Sequence, residues 1–317
     1  MSISSKEEII RLLPDNIRWM LLNDLDFNSI NEIRIRAKLP VVILYRGTEY
    51  FLSKLGGITQ DINNSYSITK EDVTEMLEYI SNYSMYAYEE EIRQGFITVH
   101  GGHRVGVAGK IVLEENRIKT MKHISYINIR VAHEIKGCAN KIFPYIVSRE
   151  NNLVYNTLII SPPVCGKTTL LRDIVRQLSN GNDLINGMNV SVVDERSEIG
   201  ACYMGIAQNS VGIRTDILDC CPKSQGMMMV IRSMSPRVIA VDEIGSKEDI
   251  EAIEYAINCG CKLIATVHGS SIEQIRKKPL FDKLWESTMF ERYIVMDNKR
   301  GYGNIKGIYD YEGNRLC

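Results

Sequence analysis

The chain has 317 residues, 44% hydrophobic and 24% charged, with 8 prolines and 23 glycines, which suits about two folded domains and excludes a disordered, collagen-like or low-complexity chain. With 38 basic and 39 acidic side chains the net charge is −1, against a protein built as a whole to coat nucleic acid or an anionic membrane. No apolar run approaches the roughly 18 residues that span a bilayer. Glu7 and Glu8 stand where a secretory signal places basic then apolar residues. The 8 cysteines are scattered, with no Cys-x-x-Cys and no zinc spacing, and are expected to be reduced cytosolic thiols.

In chain order, Lys6 to Leu22 carries apolar residues at helical spacing interrupted by Pro14, which predicts one or two short helices. Glu32-Ile33-Arg34-Ile35-Arg36 alternates as a half-buried strand does, and Val41 to Tyr45 is a second strand followed by a turn at Arg46-Gly47-Thr48. Thr69 precedes Val73, Met76, Leu77 and Ile80 and is an expected N-cap. Gly95 to His100, the Gly101-Gly102 turn and Arg104 to Gly109 form an expected β-hairpin. That turn accounts for His100 and His103 better than metal binding does, since no third ligand is nearby. From about Lys136 the pattern changes. Apolar runs at Thr157–Ile160, Val190–Val193, Val238–Val241 and Leu263–Val267 alternate with helical stretches, the mark of a parallel sheet with crossover helices. The expected division is residues 1–137, a smaller mixed α/β domain, and 138–317, an α/β nucleotide-binding domain with a mainly parallel sheet.

The most informative segment follows the first of those strands. Ser161-Pro162-Pro163-Val164-Cys165-Gly166-Lys167-Thr168, continued by Thr169 and a helix with Leu170, Leu171, Ile174, Val175 and Leu178 on one face, has the order of a Walker A loop. Backbone N–H groups and the helix N-terminus would hold phosphates, Lys167 would reach the β- and γ-phosphates, and the Thr168 hydroxyl would ligate Mg²⁺. Ser161 stands where such loops usually have Gly, a change that allows a less open loop or weaker nucleotide binding but is tolerable, because Gly166, Lys167 and Thr168 supply the phosphate contacts.

Val238-Ile239-Ala240-Val241 ends in Asp242 and Glu243: Asp242 is the candidate Mg²⁺-side carboxylate and Glu243 the candidate base for the attacking water. A second strand ends in Asp194-Glu195-Arg196, and a third in His268, a candidate sensor of the γ-phosphate. No complete Asn-Lys-x-Asp element is present, so ATP is favoured over GTP, and the layout suggests a RecA-like motor core. Arg104, Arg130, Arg196, Arg214 and Arg232 are candidates for the arginine that stabilises transition-state charge. The Met227, Met228, Met229 and Met234 cluster is expected to pack in a core or between subunits.

Taken together, Ser161–Asp173, Asp194-Glu195-Arg196-Ser197-Glu198, Arg214-Thr215-Asp216, Gly226–Pro236, Val241–Gly245 and Thr266–Gly269 resemble the stage III sporulation protein AA family. So do Glu32–Pro40, Gly95–Thr98 and Gly101–Gly106 in the first half. That family is similar to the secretion ATPases of type II and type IV pilus systems. The resemblance implies a RecA-like P-loop ATPase in a hexameric ring, using ATP and Mg²⁺, cytoplasmic in the mother cell. It also implies a peripheral place on a membrane complex of other stage III sporulation channel proteins. By position it makes Asp194 and Glu195 an acidic "Asp box", Asp242 and Glu243 the Walker B pair and His268 a "His box", and it favours Arg104 and Arg130 among the arginines. The alternatives are a helicase-like nucleic-acid motor, disfavoured by the charge balance, and an ATP-gated scaffold that does not hydrolyse.

Overall fold

The structure, a computed structural model, describes residues 5–22, 25–299 and 303–317. The chain divides into two compact units, Met1–His133 and Glu134–Cys317.

In the first unit Pro14 ends one helix and starts the next, separating α1 (Ser5–Ile10) from α2 (Asp15–Leu21). The elements that follow are β1 (Ile30–Arg36), β2 (Val42–Tyr45), β3 (Thr48–Leu52), β4 (Ile58–Thr59), α3 (Lys70–Ile80), α4 (Glu89–Gln94), β5 (Phe96–Thr98), β6 (Arg104–Glu114) and β7 (Arg117–Arg130). Thr69 caps α3 in a reciprocal box with Asp72. Arg46 and Gly47, both at positive φ, make the tight turn between β2 and β3.

Among the described residues these strands form one antiparallel sheet in the order β4-β3-β2-β1-β7-β6-β5. The expected hairpin is the β5–β6 pair; the longer β6–β7 hairpin lies outside the elements read from sequence. One face of the sheet buries Ile33, Ile35, Val105, Ile127 and Ile129 against Ile9, Leu13 and Ile17 of the first helical region and Val73 and Met76 of α3. The other is polar: Glu32, Arg34, Arg36, Asn128 and Arg130 line a groove of about 360 Å³.

The second unit runs α5 (Phe143–Ile146), β8 (Val147–Ser148), β9 (Leu153–Val154), β10 (Thr157–Ser161), α6 (Lys167–Asn180), β11 (Gly181–Asn182), β12 (Ile185–Asn186), β13 (Val190–Asp194), β14 (Thr215–Asp219), α7 (Lys223–Ser233), β15 (Val238–Val241), α8 (Lys247–Asn258), β16 (Lys262–His268), α9 (Ile272–Arg276), α10 (Asp282–Glu286), β17 (Arg292–Asp297) and β18 (Asn304–Asp310). Its main sheet has the order β14-β13-β15-β16-β10-β17-β18, parallel except for β18. Helices cover both faces, so the central strands are apolar at nearly every position.

Val190, Val192, Ala240 and Ile264 pack beneath Leu171, Ile174 and Leu178 of α6. Their strand neighbours Val193, Ile239, Val241 and Ala265 pack beneath Met227, Val230, Ile250 and Ile253 of α7 and α8. Each fully buried Leu or Ile contributes about 2 kcal/mol. Helix α7 lies so close to β13 that a Cβ on Gly226 would fall 2.4 Å from Val193 Cγ1. The methionine run is split by its helix: Met227 is buried, while Met229 and Met234 are exposed. The parallel strands end on one edge, bringing Ser161, Asp194, Val241 and His268 to the same side of the sheet, where α/β folds bind ligands.

Candidate nucleotide site

Ser161 is the last residue of β10, wholly buried and in register with His268 of β16. It is regular strand, so the substitution of the usual glycine leaves no backbone strain there. The left-handed conformations of the loop fall instead on Val164 (φ 60°) and Gly166 (φ 86°). Gly166 adopts its angle freely. Val164 is β-branched and 78% exposed, so little packing offsets a backbone cost of about 1–3 kcal/mol. Val164→Gly is therefore expected to raise stability by about 1 kcal/mol after the entropy of the added glycine, read as a higher midpoint in denaturant; an unchanged or lower midpoint contradicts it. Gly166 precedes α6 without a side-chain cap, leaving the first N–H groups of a 14-residue helix directed at the loop. Gly303 donates its N–H to the Cys165 carbonyl at 3.0 Å and so braces the loop from the end of the β17–β18 connection.

Lys167, at the start of α6, reaches across to the end of β15. Its Nζ lies 2.5 Å from Glu243 Oε1 and 3.4 Å from Asp242 Oδ1, and the lysine is only 7% exposed. The Thr168 hydroxyl donates to Asp242 Oδ2 at 2.6 Å. Thr266, fully buried in β16, donates its hydroxyl to Asp242 Oδ1 and accepts the Glu243 N–H at 2.9 Å. Glu243 itself sits at φ 57° and is held on both oxygens: His268 Nε2 lies 2.9 Å from Oε1, and Arg196 Nη1 donates to Oε2 at 2.5 Å. Burial pushes the Glu243 carboxyl up, but the Lys167 hydrogen bond and charge, with those of His268 and Arg196, hold it below the ordinary carboxylate range.

The other acids are engaged differently. Asp194 is buried and turned into its own loop, accepting the N–H of Glu198 at 2.9 Å on one oxygen and those of Ile199 (2.9 Å) and Gly200 (2.8 Å) on the other. Burial, with the charge of Asp219 in register on β14, pushes its carboxyl up to about 6 despite those donors. Glu195 pairs with Lys223 at the start of α7. With Asp242 and Glu243 these residues line one small cleft.

Arg104 and Arg130 belong to the first unit. Arg104 stacks over the Phe96 ring with its guanidinium carbon 3.4 Å from the centroid, and Arg130 lies 3.7 Å from Glu32. Arg214 is tied to the Ser179 carbonyl at 2.9 Å, and Arg232 lies in a groove between α7 and α8. Thr266, Lys223 and Arg172 were not singled out from sequence, although Thr266 stands in the strand ending at His268. Arg172 of α6 donates to the carbonyls of Ile199 (2.8 Å) and Glu198 (2.6 Å), fastening the same loop from the other side.

The profile of the family described as "Sporulation stage III, protein AA" matches residues 3–316. The chain belongs to this family. Stage III sporulation protein AA of Bacillus subtilis (strain 168) is 42% identical over 311 residues, covering 98% of this chain and 96% of that protein. Among solved structures, the Legionella pneumophila ATPase DotB aligns with a TM-score of 0.54 at 17% identity, covering 84% of this chain and 72% of that one. The pilus retraction motor PilT with bound ADP aligns with the same TM-score at 13% identity, covering 84% of this chain and 74% of that one. These two likenesses show that this member of the family shares the fold of the ATPase DotB and the pilus retraction motor PilT, as the layout of its strands and motifs predicts. No helix among the described residues is long and apolar enough to cross a membrane.

Proposed function

We propose that this sporulation-family protein is a Mg²⁺-dependent ATPase of the secretion-motor type, active as a ring and docked on a membrane channel of other stage III sporulation proteins. The observation that supports it most is the meeting of Lys167 with Asp242 and Glu243 beside the uncapped start of α6. In this reading Lys167 and the α6 N–H groups hold the β- and γ-phosphates, with Ser161 to Thr169 forming the cradle. The hydroxyl of Thr168 and the carboxylate of Asp242, hard oxygen donors 2.6 Å apart, fit Mg²⁺ and would hold it. When bound, the ion neutralises charge on the phosphates.

Glu243 orients the attacking water and takes its proton on a carboxylate oxygen, with His268 fixing that oxygen's direction. Asp194 and Glu195 shape the loop beside the site, and Arg104 and Arg130 are the arginines a neighbouring copy would offer to the transition state.

Specific ATPase activity measured against protein concentration, with Mg²⁺ and with EDTA, tests this. Turnover is expected only with Mg²⁺, rising per chain as rings assemble and unchanged by single-stranded DNA. Tight ATP binding without turnover at any concentration would favour the non-hydrolysing scaffold instead.

A further inference from the structure

We propose that Arg196 is the positioning residue for Glu243, holding one carboxylate oxygen so that the other faces Lys167 and His268. This rests on the ATPase reading and adds to it a part that the Walker and His motifs do not contain. Glu243 leaves the end of β15 through a left-handed corner whose N–H is fixed by Thr266, so its backbone is set while its side chain still needs a tether. Oxygen Oε1 is shared by Lys167 at 2.5 Å and His268 at 2.9 Å; Oε2 takes the Arg196 guanidinium at 2.5 Å.

Lys167 has a second acid within reach, Asp242 at 3.4 Å, and in the proposed reaction it also serves the phosphates. Its hold on Glu243 is therefore divided, whereas Arg196 donates to the carboxylate's other oxygen, Oε2, and the adjacent Glu195 is occupied by Lys223. The arginine is 62% exposed along its side chain, yet its backbone is not loose. The loop that carries it is clamped by the three N–H bonds to Asp194 and by the two carbonyl bonds from Arg172. An exposed side chain on a fixed base can follow the carboxylate without surrendering it.

The test uses the full chain with Arg196→Ala, Arg196→Lys, Glu243→Gln and the Ala/Gln double variant. Arg196→Ala is expected to lower kcat on the order of 10- to 100-fold while the KM for ATP stays within about threefold, with Arg196→Lys recovering part of the loss. A KM rising in step with the fall in kcat would make Arg196 a phosphate ligand and overturn the proposal, as would wild-type turnover in Arg196→Ala.

If the wild-type chain shows no turnover, the ATPase reading fails, and thermal melting decides Arg196 separately. Non-additive midpoint shifts of Arg196→Ala and Glu243→Gln support the tether; additive shifts overturn it.

Discussion

Lys167→Ala and Glu243→Gln are each expected to cut ATP turnover by about 10²–10⁴-fold, but by different routes. Removing the lysine ammonium takes away the charge that faces the phosphates and leaves Asp242 and Glu243 side by side without their shared cation. Nucleotide affinity should fall with turnover. Glu243→Gln keeps Lys167 and Thr168 in place and removes the proton acceptor, so ATP should still bind and fail to turn over. Fluorescent-nucleotide binding beside steady-state hydrolysis separates the two. Undiminished turnover in both variants rejects the ATPase reading.

Asp194→Ala is the second large effect, on stability first. The carboxylate satisfies three backbone N–H groups at 198–200 inside the fold, and among the described residues it is their side-chain acceptor. Allowing for partial rehydration as the loop opens, the loss is about 3 kcal/mol, visible as a lower denaturant midpoint. A second signature is pH. With its carboxyl raised to about 6 by burial, Asp194 contributes stability that is fully present below its ordinary 3.8 and lost as pH rises through about 6. Wild-type melting temperature should therefore carry a downward component between about pH 4 and pH 6 that Asp194→Asn flattens. A slope identical in both chains would show that Asp194 does not titrate there.

The strand, loop and helix from β10 to α6 and the strand ending at the Asp242–Glu243 pair were legible because each is local: a strand, a change of chain direction and a helix in one stretch of sequence carry their own signal. The parallel sheet was legible for the same reason, as apolar runs long enough to be buried on both faces. Less legible was anything set by strand order. Thr266 meets Asp242 because β15 and β16 are neighbours, and Arg196 meets Glu243 across 47 residues of chain; crossover helices do not announce which strands they bring together.

A serine in place of the usual loop glycine suggests a backbone constraint, but Ser161 is regular strand within β10, and the left-handed angle falls three residues later on Val164. In the first unit, the outer part of the β6–β7 hairpin is solvated on both faces, with Leu113 and Ile118 exposed, so the alternation that reveals a half-buried strand is missing.

The Thr266 hydroxyl, bonded at once to the side chain of Asp242 and the backbone of Glu243, welds two adjacent strands at their business end. Sliding β15 against β16 would break both bonds together, so the acids, the hydroxyl and the imidazole behave as one inelastic block. If the chain is the ATPase proposed above, a stroke driven by hydrolysis would be taken up around that block, by α6 or by the segment bearing Arg196, rather than along the sheet.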